Sequence, residues 1–196
     1  MRFLAALFSV TLAGCGLFGS GSDGGATNGN PSGGQVGFGA PALELTISGV
    51  RFGPAAPDAT SAGSLSTTHD ATGQISDATF QLGVSSSAIG ASCQFAIQRF
   101  GTAIAGFNAG AYTLADPGPS GTADGTASPI GNLTVSVPQG SFQCSGSTCD
   151  GMALVFSTLA ADHVEGYASG TLQDVGGSGP ADVVCSFYVS MSSFSQ

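Results

Sequence analysis

The chain predicts an all-β domain built as an antiparallel β-sandwich, and three observations carry that expectation. Apolar residues recur at every second position in strand-length rows. Gly, Pro and Asp punctuate the gaps between rows. No stretch shows a clear helical spacing, although Met152 to Ala161 is ambiguous. A β-barrel is the alternative arrangement that the same pattern allows.

The rows run as follows. Leu43, Leu45 and Ile47 alternate with Glu44, Thr46 and Ser48, as a strand with one buried face requires. Phe80, Leu82 and Val84 repeat the pattern, then Cys93, Phe95 and Ile97, then Leu133, Val135 and Val137. Val164, Gly166, Ala168, Gly170 and Leu172 form a longer row, and Val183, Cys185, Phe187, Val189 and Met191 form the last.

Turn chemistry separates them. Asp70-Ala71-Thr72-Gly73 places Asp first and Gly fourth, the signature of a type I turn with a following bulge. It predicts a hairpin between Ser64–Thr68 and Ile75–Val84. Asp116-Pro117-Gly118-Pro119 opens a long loop that runs to Pro129, because proline cannot donate to a ladder. Gly176 to Pro180 closes the last hairpin. About eight to ten short strands follow from this spacing, which suits a sandwich.

The composition permits such a fold. Only 8% of residues are charged and 32 are glycine, yet 42% are hydrophobic, and disordered chains are normally poor in apolar residues and rich in charge. Residues 40–196 hold nine of the 13 phenylalanines and read as one folded domain. Before them, residues 15–39 are rich in Gly, Ser and Asn and form a flexible tether. The formal charge is −9, with three Lys+Arg against twelve Asp+Glu. Phosphate backbones need clustered cations to displace their counterions, so nucleic acid is excluded as a partner.

The first fourteen residues predict a signal peptide. Arg2 supplies a positive start, Phe3 to Leu12 an apolar run, and Ala13-Gly14 the small residues of a cleavage site. The run is too short for a transmembrane helix, which needs about 20 apolar residues. Leu12-Ala13-Gly14-Cys15 resembles the lipobox of bacterial lipoproteins. That resemblance implies cleavage before Cys15, a diacylglycerol (palmitate-type) anchor on its sulfur, and a place in the cell envelope. Gly16, rather than Asp, after the cysteine implies the outer membrane. The implied partner is therefore the membrane, reached through the anchor; an envelope protein or glycan is the open second partner.

With Cys15 assigned to lipid, Cys93, Cys144, Cys149 and Cys185 remain, an even number in an exported domain. Of three pairings, spacing favours Cys144 with Cys149 across Ser145-Gly146-Ser147-Thr148. This leaves Cys93 with Cys185, a bridge worth about 4 kcal/mol by chain entropy. Neither zinc-type nor redox-type cysteine spacing is present.

Chemistry is harder to find. The two histidines, His69 and His163, stand at a turn and a strand start, with no Gly-x-Ser-x-Gly elbow to supply a nucleophile. Asp162 and Glu165 flank His163 without the pattern of a paired-carboxylate site. Asp116, Asp124 and Asp150 lack the Asp-x-Asp-x-Asp-Gly spacing of a calcium loop. No catalytic residue, metal site or cofactor is assigned. Tyr167 and Tyr188 fall opposite the apolar rows of neighbouring strands and form a candidate binding patch. The expected role is a non-catalytic binding or structural module; the alternative is an envelope hydrolase with a loop-built active site.

Overall fold

The computed structural model describes residues 37–101, 104–115 and 129–195. Within them the alternating rows are strands. These are β1 (Ala42–Ile47), β2 (Val50–Ala55), β3 (Ala62–His69), β4 (Ile75–Ser86), β5 (Ala91–Phe100), β6 (Gly110–Thr113), β7 (Ile130–Val137), β8 (Gly140–Ser145), β9 (Ala153–Leu159), β10 (His163–Asp174) and β11 (Pro180–Phe194). A 3₁₀ turn, Gly146–Cys149, links β8 to β9. The ambiguous run from Met152 is therefore strand β9. No helix among the described residues is long and apolar enough to cross a membrane.

Eleven strands exceed the expected eight to ten because β2, β6 and β8 escape a period-two reading. Strand β2 contains Gly53-Pro54, and β6 has only four residues. Both lie at the ends of the strand order, where one edge needs no partner and proline is tolerated.

One layer runs β2-β1-β11-β10-β9-β6 and the other β3-β4-β5-β7-β8. The layers join at their corners. The end of β11 pairs in parallel with β3 through Met191 and Gly63, and the end of β10 pairs with β8 through Gln173 and Gln143. All other ladders are antiparallel.

Inward-facing residues of both layers form a single core. Phe80 of β4 packs edge-on against Phe156 of β9 with ring centroids 4.8 Å apart, and Phe95 of β5 meets Phe187 of β11 at 5.4 Å. Phe80, Phe156 and Phe187 are essentially fully buried, and burying each such ring contributes about 1.5–3 kcal/mol. Two facing layers around this core make the fold a sandwich, with hydrogen-bonded ladders joining the layers at two corners.

Both expected disulfides are present. Cys93 of β5 and Cys185 of β11 bridge the two layers with Cα atoms 6.6 Å apart. Cys144 and Cys149 close the 3₁₀ turn with Cα atoms 5.1 Å apart. The Thr148 hydroxyl helps shape that turn, accepting from the Ser145 amide at 2.8 Å and donating to the Ser145 carbonyl at 2.9 Å. The Met152 sulfur lies 3.1 Å from the Cys144 sulfur. Cys144 carries no S–H once bridged, so this is a packing contact and not a hydrogen bond.

The predicted turns close as their residues dictate. Asp70 Oδ1 accepts from the Thr72 amide and hydroxyl and from the Gln74 amide, and the Gly73 amide returns to the Asp70 carbonyl at 3.0 Å. Gly73 has φ +84°, a left-handed conformation that costs glycine nothing. At the last hairpin, Asp174 accepts from the Gly176 and Ser178 amides. The signal peptide, Cys15, the tether to residue 36, and the loop with Asp116 and Asp124 lie outside the described residues.

Candidate functional site

The two tyrosines of the expected patch do share a face. In the β10–β11 ladder Tyr188 stands opposite Glu165 and Tyr167 opposite Ser186, so the rings are diagonal neighbours on the outside of the first layer. Both are half-buried. Tyr188 packs against the His163 ring at 5.1 Å between centroids. Glu165 Oε1, between the tyrosines in register, accepts the amides of Gly37 at 2.5 Å and Phe38 at 2.7 Å. The segment at Gly37 and Phe38 is thus held over this face.

The same face carries a buried acid. Glu44 of β1 is only 7% exposed. Its Oε2 accepts from Arg51 Nη2 at 2.5 Å, and the guanidinium stays half in water.

The histidines assemble no triad. His163 Nδ1 lies 2.9 Å from Asp162 Oδ1, and no serine hydroxyl is within hydrogen-bonding reach of its ring among the described residues. That hydrogen bond holds the Asp162 carboxyl below its ordinary value. His69 ends β3 at an exposed position. Among the described residues no group of three or more His, Cys, Asp and Glu could hold a metal ion. Asp150 follows the small disulfide loop, exposed at the surface.

Three half-buried aspartates serve turns and loops. Asp58 sits below its ordinary value because the Ser87 amide and hydroxyl and the Ser85 hydroxyl donate to it. Asp70 is lowered chiefly by the Thr72 hydroxyl, and Asp174 chiefly by the Gly176 amide. Each fastens a turn or a loop to a strand.

A concave surface lies elsewhere, on the outside of the second layer. Two adjoining hollows of about 450 and 350 Å³ share Gln81, Ala96 and Asn132 among their linings. Strand register explains the relief. One row across the sheet reads Ala62, Gly83, Gln94, Thr134 and Gln143; the next reads Ser64, Gln81, Ala96, Asn132 and Ser145. Each glutamine of the middle strands therefore stands opposite a small residue, Gln94 beside Gly83 and Gln81 beside Ala96. Long amides alternate with gaps, and the gaps are the hollows.

The polar groups of this trough are unspent. Gln81, Gln94, Asn132 and Thr134 make no side-chain hydrogen bond within the described residues. Asp77 is the one carboxylate in these rows' neighbourhood on β4, and it is engaged by Gln98 and by the Thr79 hydroxyl at 3.1 Å. Among the described residues no cation lines the trough. Arg51 is paired with Glu44, and Arg99 donates to the Gly106 carbonyl with its guanidinium 6.0 Å from the Tyr112 ring centre.

Sequence reading missed this surface. Its residues come from five strands, and only strand register brings them together. The available signal was negative: apart from Asp77, polar residues on β4, β5 and β7 that alternate with the core rows carry amides and hydroxyls rather than charges. No protein-family model matches the chain, and no curated protein or solved structure is similar to it.

Proposed function

We propose that this protein is a lipid-anchored component of the bacterial cell envelope that displays a non-catalytic binding module. The anchor would be Cys15, at the outer membrane, by virtue of the Leu12-Ala13-Gly14-Cys15 sequence followed by Gly16. Two or more acyl chains hold a protein at a bilayer stably, since each buried CH₂ contributes about 0.8 kcal/mol.

The observation that carries the binding reading is the trough: four amide and hydroxyl side chains, with no side-chain hydrogen bond among the described residues, around an open concavity. Surfaces that merely solvate a sheet need no concavity. A hydrolase reading lacks support of that kind among the described residues, where His163 meets its own neighbour Asp162 and no serine hydroxyl.

Two measurements test the proposal. Labelling with a palmitate analogue should mark the wild-type protein in the outer-membrane fraction and leave Cys15→Ser unmarked; an unlabelled wild type removes the anchor. Delipidated envelope polymer should carry the full-length protein down on sedimentation. A protein left wholly in the supernatant removes the binding module.

A further inference from the structure

Resting on that binding reading, we infer that the trough on the second layer is a site for a neutral, polyhydroxylated polymer, a polysaccharide chain without charged substituents. Three features of the surface select this ligand.

The first is hydrogen-bonding character. A primary amide presents two donors and an acceptor, and a hydroxyl presents both, so Gln81, Gln94, Asn132 and Thr134 match ligand hydroxyls that also donate and accept. None of these groups is satisfied within the described protein. An incoming hydroxyl therefore replaces water without breaking an internal bond.

The second is charge. The chain is acidic overall at −9, and its two cations beyond Arg2 are both directed away from the trough. A phosphate, sulfate or carboxylate ligand would meet repulsion and no compensating Lys or Arg. A cationic ligand would find no carboxylate in the described lining, and the nearby Asp77 of β4 is already held by Gln98 and Thr79. Protein partners prefer aromatic, Met and Arg anchors, and the two central rows hold none. A neutral ligand remains.

The third is shape. The hollows total several hundred Å³, within the range of small-ligand sites, but they are open grooves that share their lining residues. Four inter-strand steps from β3 to β8 give a run of about 19 Å across the sheet. An open run of that length suits several units of a chain better than one enclosed sugar. Without stacking rings at its centre, each unit is bound weakly, and binding grows with the number of units engaged.

Affinity electrophoresis of the full-length protein in mild detergent tests this. Gels contain a neutral β-glucan, a neutral α-glucan, a mannan, or anionic polygalacturonate. At least one neutral polymer should reduce mobility twofold or more, and polygalacturonate should not. The double variant Gln94→Ala/Asn132→Ala should restore free mobility. So should Gly83→Ile, which fills the gap beside Gln94; a Cβ there meets nothing within 4 Å, so the fold is kept.

Free mobility of the wild type in every neutral gel overturns the inference, as does retardation that survives Gly83→Ile. Retardation by polygalacturonate alone overturns it too. Sedimentation with envelope polymer separates the two readings. Sedimentation unchanged by Gly83→Ile leaves a binding module but moves its site off the trough, whereas neither sedimentation nor retardation ends both.

Discussion

Gln94 of β5 stands directly opposite Gly83 of β4, a residue with no side chain to lean on. A strand glycine normally costs stability, since it forfeits cross-strand packing and orders a permissive backbone. Here its backbone is not left-handed and the space beside it is open. Gly83→Val should therefore raise stability by about 0.5–1 kcal/mol, read as a higher denaturant midpoint. A lower midpoint would mean that the gap is structurally required.

The bridge between layers should dominate the covalent contribution. Cys93 and Cys185 are 92 residues apart, while Cys144 and Cys149 are five apart. Chain entropy gives about 4–5 kcal/mol for the first and about 2 kcal/mol for the second. Urea unfolding of Cys93→Ala/Cys185→Ala should show the larger loss, and Cys144→Ala/Cys149→Ala the smaller. The reverse order would point to strain or residual structure in the unfolded chain.

Phe156 is the hub of the aromatic core, touching Phe80, Phe107 and Tyr112. Phe156→Ala should cost about 3–5 kcal/mol, because the surrounding rings come from β4, β6 and the loop between β5 and β6 and collapse only partly. Thermal unfolding checks this. A loss below about 1 kcal/mol would show that the two layers close over the void.

Acid should destabilise the protein through its turns. Asp58, Asp70, Asp162 and Asp174 are all lowered from 3.8 by hydrogen bonds to their charged forms. A carboxyl depressed in the folded state lends stability that is complete above its unfolded value and lost as pH falls through the folded one. The melting temperature should hold from neutral pH to about 5 and decline below about 4. Asp70→Asn combined with Asp174→Asn should flatten that decline; an unchanged slope would place acid sensitivity elsewhere.

The hold on the entering chain can be tested separately. Glu165→Ala removes the acceptor for Gly37 and Phe38. Amide exchange at those two positions should accelerate severalfold while the core amides stay protected. Unaltered exchange would mean that packing of Phe38 alone keeps the segment down.

Much of the fold was legible because one layer of information, apolar alternation, fixes which face of each strand is buried. Phe80, Phe95 and Phe187 were placed inward on that basis, and Asp70 and Gly73 announced their turn by chemistry that few other sequences satisfy. Alternation also put Tyr167 and Tyr188 on one outer face. It could not show that Gly37 and Phe38 would be drawn toward Glu165 there, since that contact spans more than a hundred residues. The trough was hidden for a related reason. Gln81 and Ala96 become neighbours only through strand register, which period-two reasoning leaves free. Pro54 concealed β2 because a sequence does not say which strands end up at an edge.

Glu165 grips the entering chain on the first layer, whereas the amide-lined concavity opens from the second. The two features sit on opposite outer faces of the sandwich, so whatever occupies one leaves the other sterically free, and Glu165→Ala and Gly83→Ile report on separate surfaces.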